Sequence, residues 1–222
     1  LAGQPEADAA GCRLYLVSPP AVEPGPFADR LKRALDGGDV ACFQYWAPGA
    51  VPGGVPDEQL ARAAEILMPI AQSRDVAFLI NDRPALARRL GCDGVHLTAD
   101  EPDVAAVRKV LGDELILGVS ARDSRHVAME AGEHGADYVS FGPFFASGTK
   151  PGVEAISPGI VQWWSEIFEI PSVAIGGLTP ENCADLVRSG ADFIAAVGSV
   201  WDAADPAAAV AAFNRAIAAA QG

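Results

Sequence analysis

A chain of 222 residues, half of them hydrophobic, can enclose one sizeable core and fits one domain of the larger kind. The formal net charge of −13 argues against nucleic acid and anionic membrane as partners. It leaves open an anionic small-molecule substrate, because a local pocket can be positive on a negative protein.

In chain order, LAGQPEADAAG (residues 1–11) is expected to be a mobile N-terminal segment, followed by one domain over residues 12–222. From there short apolar runs alternate with longer amphipathic segments. The strand-like runs are RLYLVS (13–18), VACFQYW (40–46), VAFLIND (76–82), DGVHLT (93–98), LILGVSA (115–121), ADYVSFG (136–142), PSVAIGG (171–177) and DFIAAVGS (192–199). Each is followed by a helical pattern, from FADRLKRALDGG (27–38) to the alanine-rich DPAAAVAAFNRAIAAA (205–220). Runs that are apolar nearly throughout predict strands of a parallel sheet covered on both faces.

Three helical segments end in glycine, at Gly91, Gly135 and Gly190, with an aspartate two residues on, at Asp93, Asp137 and Asp192. The recurrence predicts one helix-to-strand turn used repeatedly at the bottom of the fold. Eight strand–helix units in this length predict an α/β, single-domain (β/α)8 TIM barrel, slightly shorter than the typical ~250 residues. A doubly wound open sheet is the alternative. The four cysteines, Cys12, Cys42, Cys92 and Cys183, show no CxxC pair and no metal spacing. They read as buried hydrophobes in a reducing, cytoplasmic compartment. No apolar run reaches the ~18 residues of a membrane span.

In a barrel the functional residues follow the strands. After the second run come Gln44, Tyr45 and Trp46; after the third, Asn81, Asp82 and Arg83; after the fourth, Thr98, Asp100 and Glu101; after the fifth, Ser120. The sixth leads into GPFFASGTKPG (142–152), which sets Ser147, Thr149 and Lys150 among glycines and prolines. A cation and two hydroxyls there suit a clamp on an anionic group, or a solvated loop. AIGGLTPEN carries Gly176 and Gly177 at a strand end, with Thr179 as N-cap and Pro180 opening a helix. With Val197, Gly198 and Ser199 after the eighth run, these bare backbones are expected to meet a phosphate. Asp82 with Asp100 or Glu101 could share Mg²⁺ or cap helices. His96 lies within a strand, and His126 and His134 lie in a helical pattern; none stands out as catalytic. No Ser-His-Asp set, P-loop or HExxH is visible.

INDR, DGVHL, GVSA, GADYVSFGPFFASGTK, VAIGGLTPEN and GADFIAAVGS, in that order, resemble the thiamine-phosphate synthase family, which also includes thiazole tautomerases. The resemblance runs from about Leu14 to Phe213. It implies a transferase that joins hydroxymethylpyrimidine diphosphate to a thiazole phosphate and releases diphosphate, with Mg²⁺ as cofactor. Carried over by residue, Asn81 and Ser120 would contact the pyrimidine diphosphate, with Gln44 beside them. Lys150 would hold the leaving diphosphate. Ser147, Thr149, Gly177 and the Val197-Gly198 backbone would hold the thiazole phosphate. Asp82 and Glu101 would bind the metal. The sequence departs from the family where Trp46 and Pro48 replace an arginine and a lysine, Glu101 an aspartate, Ser147 a threonine and Gly198 a serine. The histidine that the tautomerases carry at the position of Pro143 is absent. The second-strand departures keep a second reading open: a relative with altered or lost catalysis that binds a thiazole or pyrimidine phosphate as a regulator or carrier. A homo-oligomer is compatible with either reading.

Overall fold

The computed structural model describes residues 11–20, 22–47, 55–98, 102–146 and 154–222. Eight strands form one closed, all-parallel barrel in chain order, with β1 returning to pair with β8. They are β1 Arg13–Val17, β2 Cys42–Tyr45, β3 Ala77–Asn81, β4 Gly94–Leu97, β5 Ile116–Arg122, β6 Tyr138–Phe141, β7 Ser172–Ile175 and β8 Phe193–Ala196. Closure leaves no sheet edge and excludes the open-sheet alternative.

The helices among the described residues are α1 Pro24–Leu35, α2 Asp57–Gln72, α3 Pro84–Leu90, α4 Val104–Leu111, α5 Arg125–Glu133, α6 Gly159–Ile167, α7 Ala184–Arg188, α8 Gly198–Trp201 and α9 Pro206–Gln221. In α1 the residues Phe27, Ala28, Leu31, Ala34 and Leu35 are buried, the i, i+3, i+4 spacing of one apolar face turned to the barrel. Side-chain caps start three of the helices. Asp103 accepts from Ala106 N–H, Ser124 from Val127 N–H, and Asp205 from Ala207 and Ala208 N–H. No helix among the described residues is long and apolar enough to cross a membrane.

Side chains alternate across each strand and make two apolar layers. Leu14, Leu16, Phe43, Phe78, Ile80, Val95, Leu117 and Val139 point outward into the core shared with the helices. Tyr15, Val17, Cys42, Leu79, Tyr138, Val173 and Ala195 fill the barrel interior. Gly118 stands opposite Tyr138, and a Cβ there would run into the Tyr138 ring, so the glycine makes room for a phenol inside the barrel.

The repeated glycine–aspartate turn is present at all three places. Gly91, Gly135 and Gly190 have φ of 77°, 93° and 91°, the left-handed conformation that glycine adopts at least cost. Each aspartate then reaches sideways. The carboxylates of Asp93, Asp137 and Asp192 accept from the backbone N–H of Phe78, Leu117 and Ser172, each at 2.7 Å. Each therefore caps the start of the preceding strand at the bottom of the barrel.

Two boundaries differ from the sequence expectation. The helix expected from Thr179 begins only at Ala184. Asn182 Oδ1 accepts from Thr179 N–H and its Nδ2 donates to Gly177 O, which holds the intervening residues in a turn. The run DFIAAVGS divides: the strand stops at Ala196, and Gly198 opens the short helix α8. Trp201 of α8 donates from its indole to Val17 O at 2.6 Å, pinning α8 over the end of β1.

Candidate functional site

The carboxyl ends of the strands surround a cavity of about 1010 Å³. Its floor is made by inward positions: Val17, Gln44, Asn81, His96, Ser120, Ser140, Ile175 and Val197. Trp46, Thr98, Arg122, Gly177, Gly198 and Asp202 stand around the rim. Tyr45, read with Gln44 and Trp46, faces the other way, into the outer core. The period of two makes neighbours on one strand end point to opposite faces.

The third and fourth strand ends are tied together. Asp82 has φ of 54°, and its carboxylate accepts from Thr98 N–H at 2.8 Å and Thr98 Oγ1–H at 2.5 Å. Those two bonds fix its orientation and leave further lone pairs on both oxygens, so the carboxylate can serve as a hard oxygen donor. Among the described residues no cluster of three or more histidines, cysteines, aspartates or glutamates could hold a metal. Asp100 and Glu101, the expected companions of Asp82, lie outside the described residues, as do Pro48, Ser147, Thr149 and Lys150. Arg83 Nε lies 3.4 Å from Asp57 Oδ1 of α2, and its Nη1 donates to Asp82 O at 3.1 Å.

Backbone geometry builds the opposite wall. Gly176 and Gly177 have φ of 105° and 63°. A Cβ on Gly176 would strike Pro143, and one on Gly177 would meet the carbonyls of Ala146 and Phe145. Phe145 N–H also donates to Gly176 O at 3.1 Å. The two glycines therefore seat the loop after β6 against the end of β7, a packing role beside the expected one of exposing N–H groups. The hydroxyl of Ser199 is buried with no hydrogen-bond partner among the described residues.

Inside the barrel a single line of hydrogen bonds joins six strands. Ser120 Oγ lies 2.9 Å from His96 Nε2, and His96 Nδ1 lies 2.8 Å from the Tyr138 hydroxyl. The Tyr138 and Tyr15 hydroxyls are 2.9 Å apart. Tyr15 donates to Gln44 Oε1 at 3.0 Å, and Gln44 Nε2 donates to Asn81 Oδ1 at 2.8 Å. Burial pushes both phenols well above their ordinary titration range, so each keeps its hydrogen. Asn81 Nδ2, at the end of the line, is buried without a partner among the described residues.

Sequence reasoning thus brings Gln44, Asn81, Ser120, Gly177, Val197 and Gly198 to one cavity. It missed His96, Tyr15 and Tyr138, although each is a polar-tipped residue at an inward position of a largely apolar strand. It also missed Arg122, which among the described residues is the one cation of the lining. Arg122 has φ of 55° where the β5–β6 register shifts after Ser120, and that bulge carries the strand end to the rim. A bulge has no mark in the sequence.

Comparison with known proteins adds four findings. A family model described as thiamine monophosphate synthase matches residues 14–200. A thiamine-phosphate synthase of Rhodospirillum centenum is 53% identical over 205 residues, covering 92% of this chain and 97% of the relative. One of Erythrobacter litoralis is 50% identical over 212 residues, covering 94% and 96%. Among solved structures, a thiamine phosphate pyrophosphorylase from Pyrococcus furiosus superposes with a TM-score of 0.77 at 24% identity, covering 95% of this chain and 97% of that one, which supports the fold.

Proposed function

The chain belongs to the thiamine monophosphate synthase family, and from that premise we propose how its barrel mouth carries out the coupling of hydroxymethylpyrimidine diphosphate to thiazole phosphate. It is a transferase of thiamine biosynthesis. The substrates are small phosphorylated molecules, and we place the enzyme in the cytoplasm.

The observation that carries the assignment is the meeting of Gln44, Asn81 and Ser120 on one side of the cavity with Gly177, Val197 and Gly198 on the other. The first side takes the pyrimidine diphosphate. Asn81 Nδ2, buried and unpartnered among the described residues, is a donor that a bound ligand would satisfy. The second side takes the thiazole phosphate on backbone N–H groups, with the Ser199 hydroxyl as a further donor. Breaking the bond between the pyrimidine methylene and the diphosphate oxygen leaves a cation that the pyrimidine ring stabilises. The thiazole nitrogen then supplies the electron pair for the new C–N bond, and diphosphate departs with the electrons of the old one. No proton need move at the reacting carbon, which agrees with a cavity organised for binding and charge rather than around an acid–base pair.

Mg²⁺ fits Asp82, whose carboxylate is oriented by Thr98 and keeps lone pairs to spare. Glu101 or Asp100 would complete the protein's share of the ligands. When bound, the ion neutralises charge on the diphosphate. Arg122 at the rim adds positive charge on the same side, and the family resemblance assigns Lys150 to the leaving diphosphate.

The testing experiment combines purified protein, both substrates and Mg²⁺, and follows thiamine phosphate by mass. Product is expected from the wild type. Lys150→Ala should lower kcat at least ~100-fold, the scale of removing one charge-stabilising donor. A folded wild type that binds thiazole phosphate but forms no product would replace the enzyme reading with that of a regulator or carrier.

A further inference from the structure

We propose that His96 is a positioning residue for the coupling reaction: its Nδ1–H tautomer sets the direction of the interior hydrogen-bond line, so that Ser120 meets the substrate as an acceptor and Asn81 as a donor. The proposal rests on the reading of this cavity as the coupling site and deepens it.

The direction follows from counting hydrogens along the line. Tyr15 spends its one hydrogen on Gln44 Oε1, so toward Tyr138 it can only accept. Tyr138 spends its hydrogen on Tyr15, so toward His96 it too can only accept. The His96 nitrogen facing Tyr138 is Nδ1, which must therefore carry a hydrogen. In the neutral ring Nε2 is then a bare lone pair, and Ser120 must donate to it. The Ser120 oxygen is left with lone pairs. One is approached by the Ser140 hydroxyl at 3.5 Å, and the other is available to the cavity, which Ser120 lines. At the far end, Gln44 donates to Asn81 Oδ1, which fixes that amide with Nδ2 unspent.

Running the line the other way would put hydrogen on His96 Nε2, free the Ser120 hydrogen, and leave Asn81 Oδ1 unspent. An acceptor would then face a diphosphate, which offers acceptors only. The stated direction gives the diphosphate a donor at Asn81. It also gives Ser120 an acceptor suited to an N–H group of the pyrimidine. Because every link is buried or half-buried and each bond uses up its donor, the sense chosen at His96 is felt at Asn81 on the adjacent strand β3, reached along the line through β6, β1 and β2.

Two measurements on the full chain decide the matter. Long-range ¹H–¹⁵N correlation of the imidazoles, with the His96 signals identified by their loss in His96→Asn, should show hydrogen on Nδ1 and a bare Nε2. Hydrogen on Nε2 would overturn the proposal without reference to activity. In the coupling assay, His96→Leu should lower kcat about tenfold, the scale of one misdirected hydrogen bond to substrate, with KM for thiazole phosphate changed less than about twofold. His96→Asn keeps an N–H donor close to Nδ1 and should recover most of that loss. Equal losses in both variants would reduce His96 to a packing role and sink the idea. A wild type that forms no product overturns the coupling reading itself, and the tautomer still decides the direction of the line.

Discussion

At the scale of single residues, the rim of the second strand carries the main departure from the family. Trp46 is held by its backbone: Ser18 Oγ accepts from Trp46 N–H at 2.9 Å and donates to Trp46 O at 3.1 Å. Its side chain lines the cavity and packs against the interior layer. A cation at this position would therefore face substrate. Charge-assisted hydrogen bonds contribute about 1.5–3 kcal/mol each. Trp46→Arg combined with Pro48→Lys is expected to raise kcat/KM for the diphosphate substrate at least tenfold, read in the same coupling assay. No gain would mean that Arg122 and Lys150 already meet the diphosphate's charge. The position of Trp46 on the cavity side was legible from its strand-end place. That of Tyr45 beside it was not, because which member of a pair points inward depends on register around the whole barrel.

Among elements, the strand–helix units are the best-specified part of the molecule. Their glycine–aspartate turns join helix termination to strand capping, since one carboxylate satisfies a backbone N–H on the neighbouring strand. Asp192 illustrates the dependence, accepting from both Ser172 N–H and Ser172 Oγ. Ser172 is fully buried, so removing the acceptor strands a donor away from water. Asp192→Ala is expected to cost about 1–3 kcal/mol, seen as a lower urea midpoint with an unchanged slope. A cost below ~0.5 kcal/mol would show that water replaces the carboxylate. The sequence pattern located these turns, but what each aspartate touches lies 15 to 20 residues back along the chain, beyond any local motif.

For the molecule as a whole, burial of titratable groups sets an upper pH limit. Burial pushes the thiols of Cys12 and Cys92 up to about 12, and Cys42, deep in the barrel, higher still. The same desolvation raises Tyr15 and Tyr138 well above the ordinary phenol range. These groups are neutral in the folded state where the unfolded chain would ionise. Their contribution to stability is thus complete below about pH 8.5, the ordinary thiol value, and is lost as pH rises from there toward the folded values. Thermal midpoints should be flat from pH 7 to about 8.5 and fall above it. A midpoint that holds to pH 11 would show that these groups reach solvent in the native state. All four cysteines are free thiols; Cys42, Cys92 and Cys183 are buried as expected, and Cys12 is half-buried.

Composition, periodicity and the spacing of glycines determined the barrel, its chain order and the strand ends that carry chemistry, because each is a local consequence of alternation, capping and turn geometry. They also placed Gln44, Asn81, Ser120, Gly177, Val197 and Gly198 together, since a barrel of known order puts its strand ends in one ring. Tertiary structure decided the rest: that His96, Tyr15 and Tyr138 meet end to end inside the barrel, that a bulge carries Arg122 to the rim, and that Gly176 and Gly177 seat a neighbouring loop. Those facts depend on distances between strands far apart in sequence, and a hydrogen bond or a close approach exists only once closure has brought both partners to the same place.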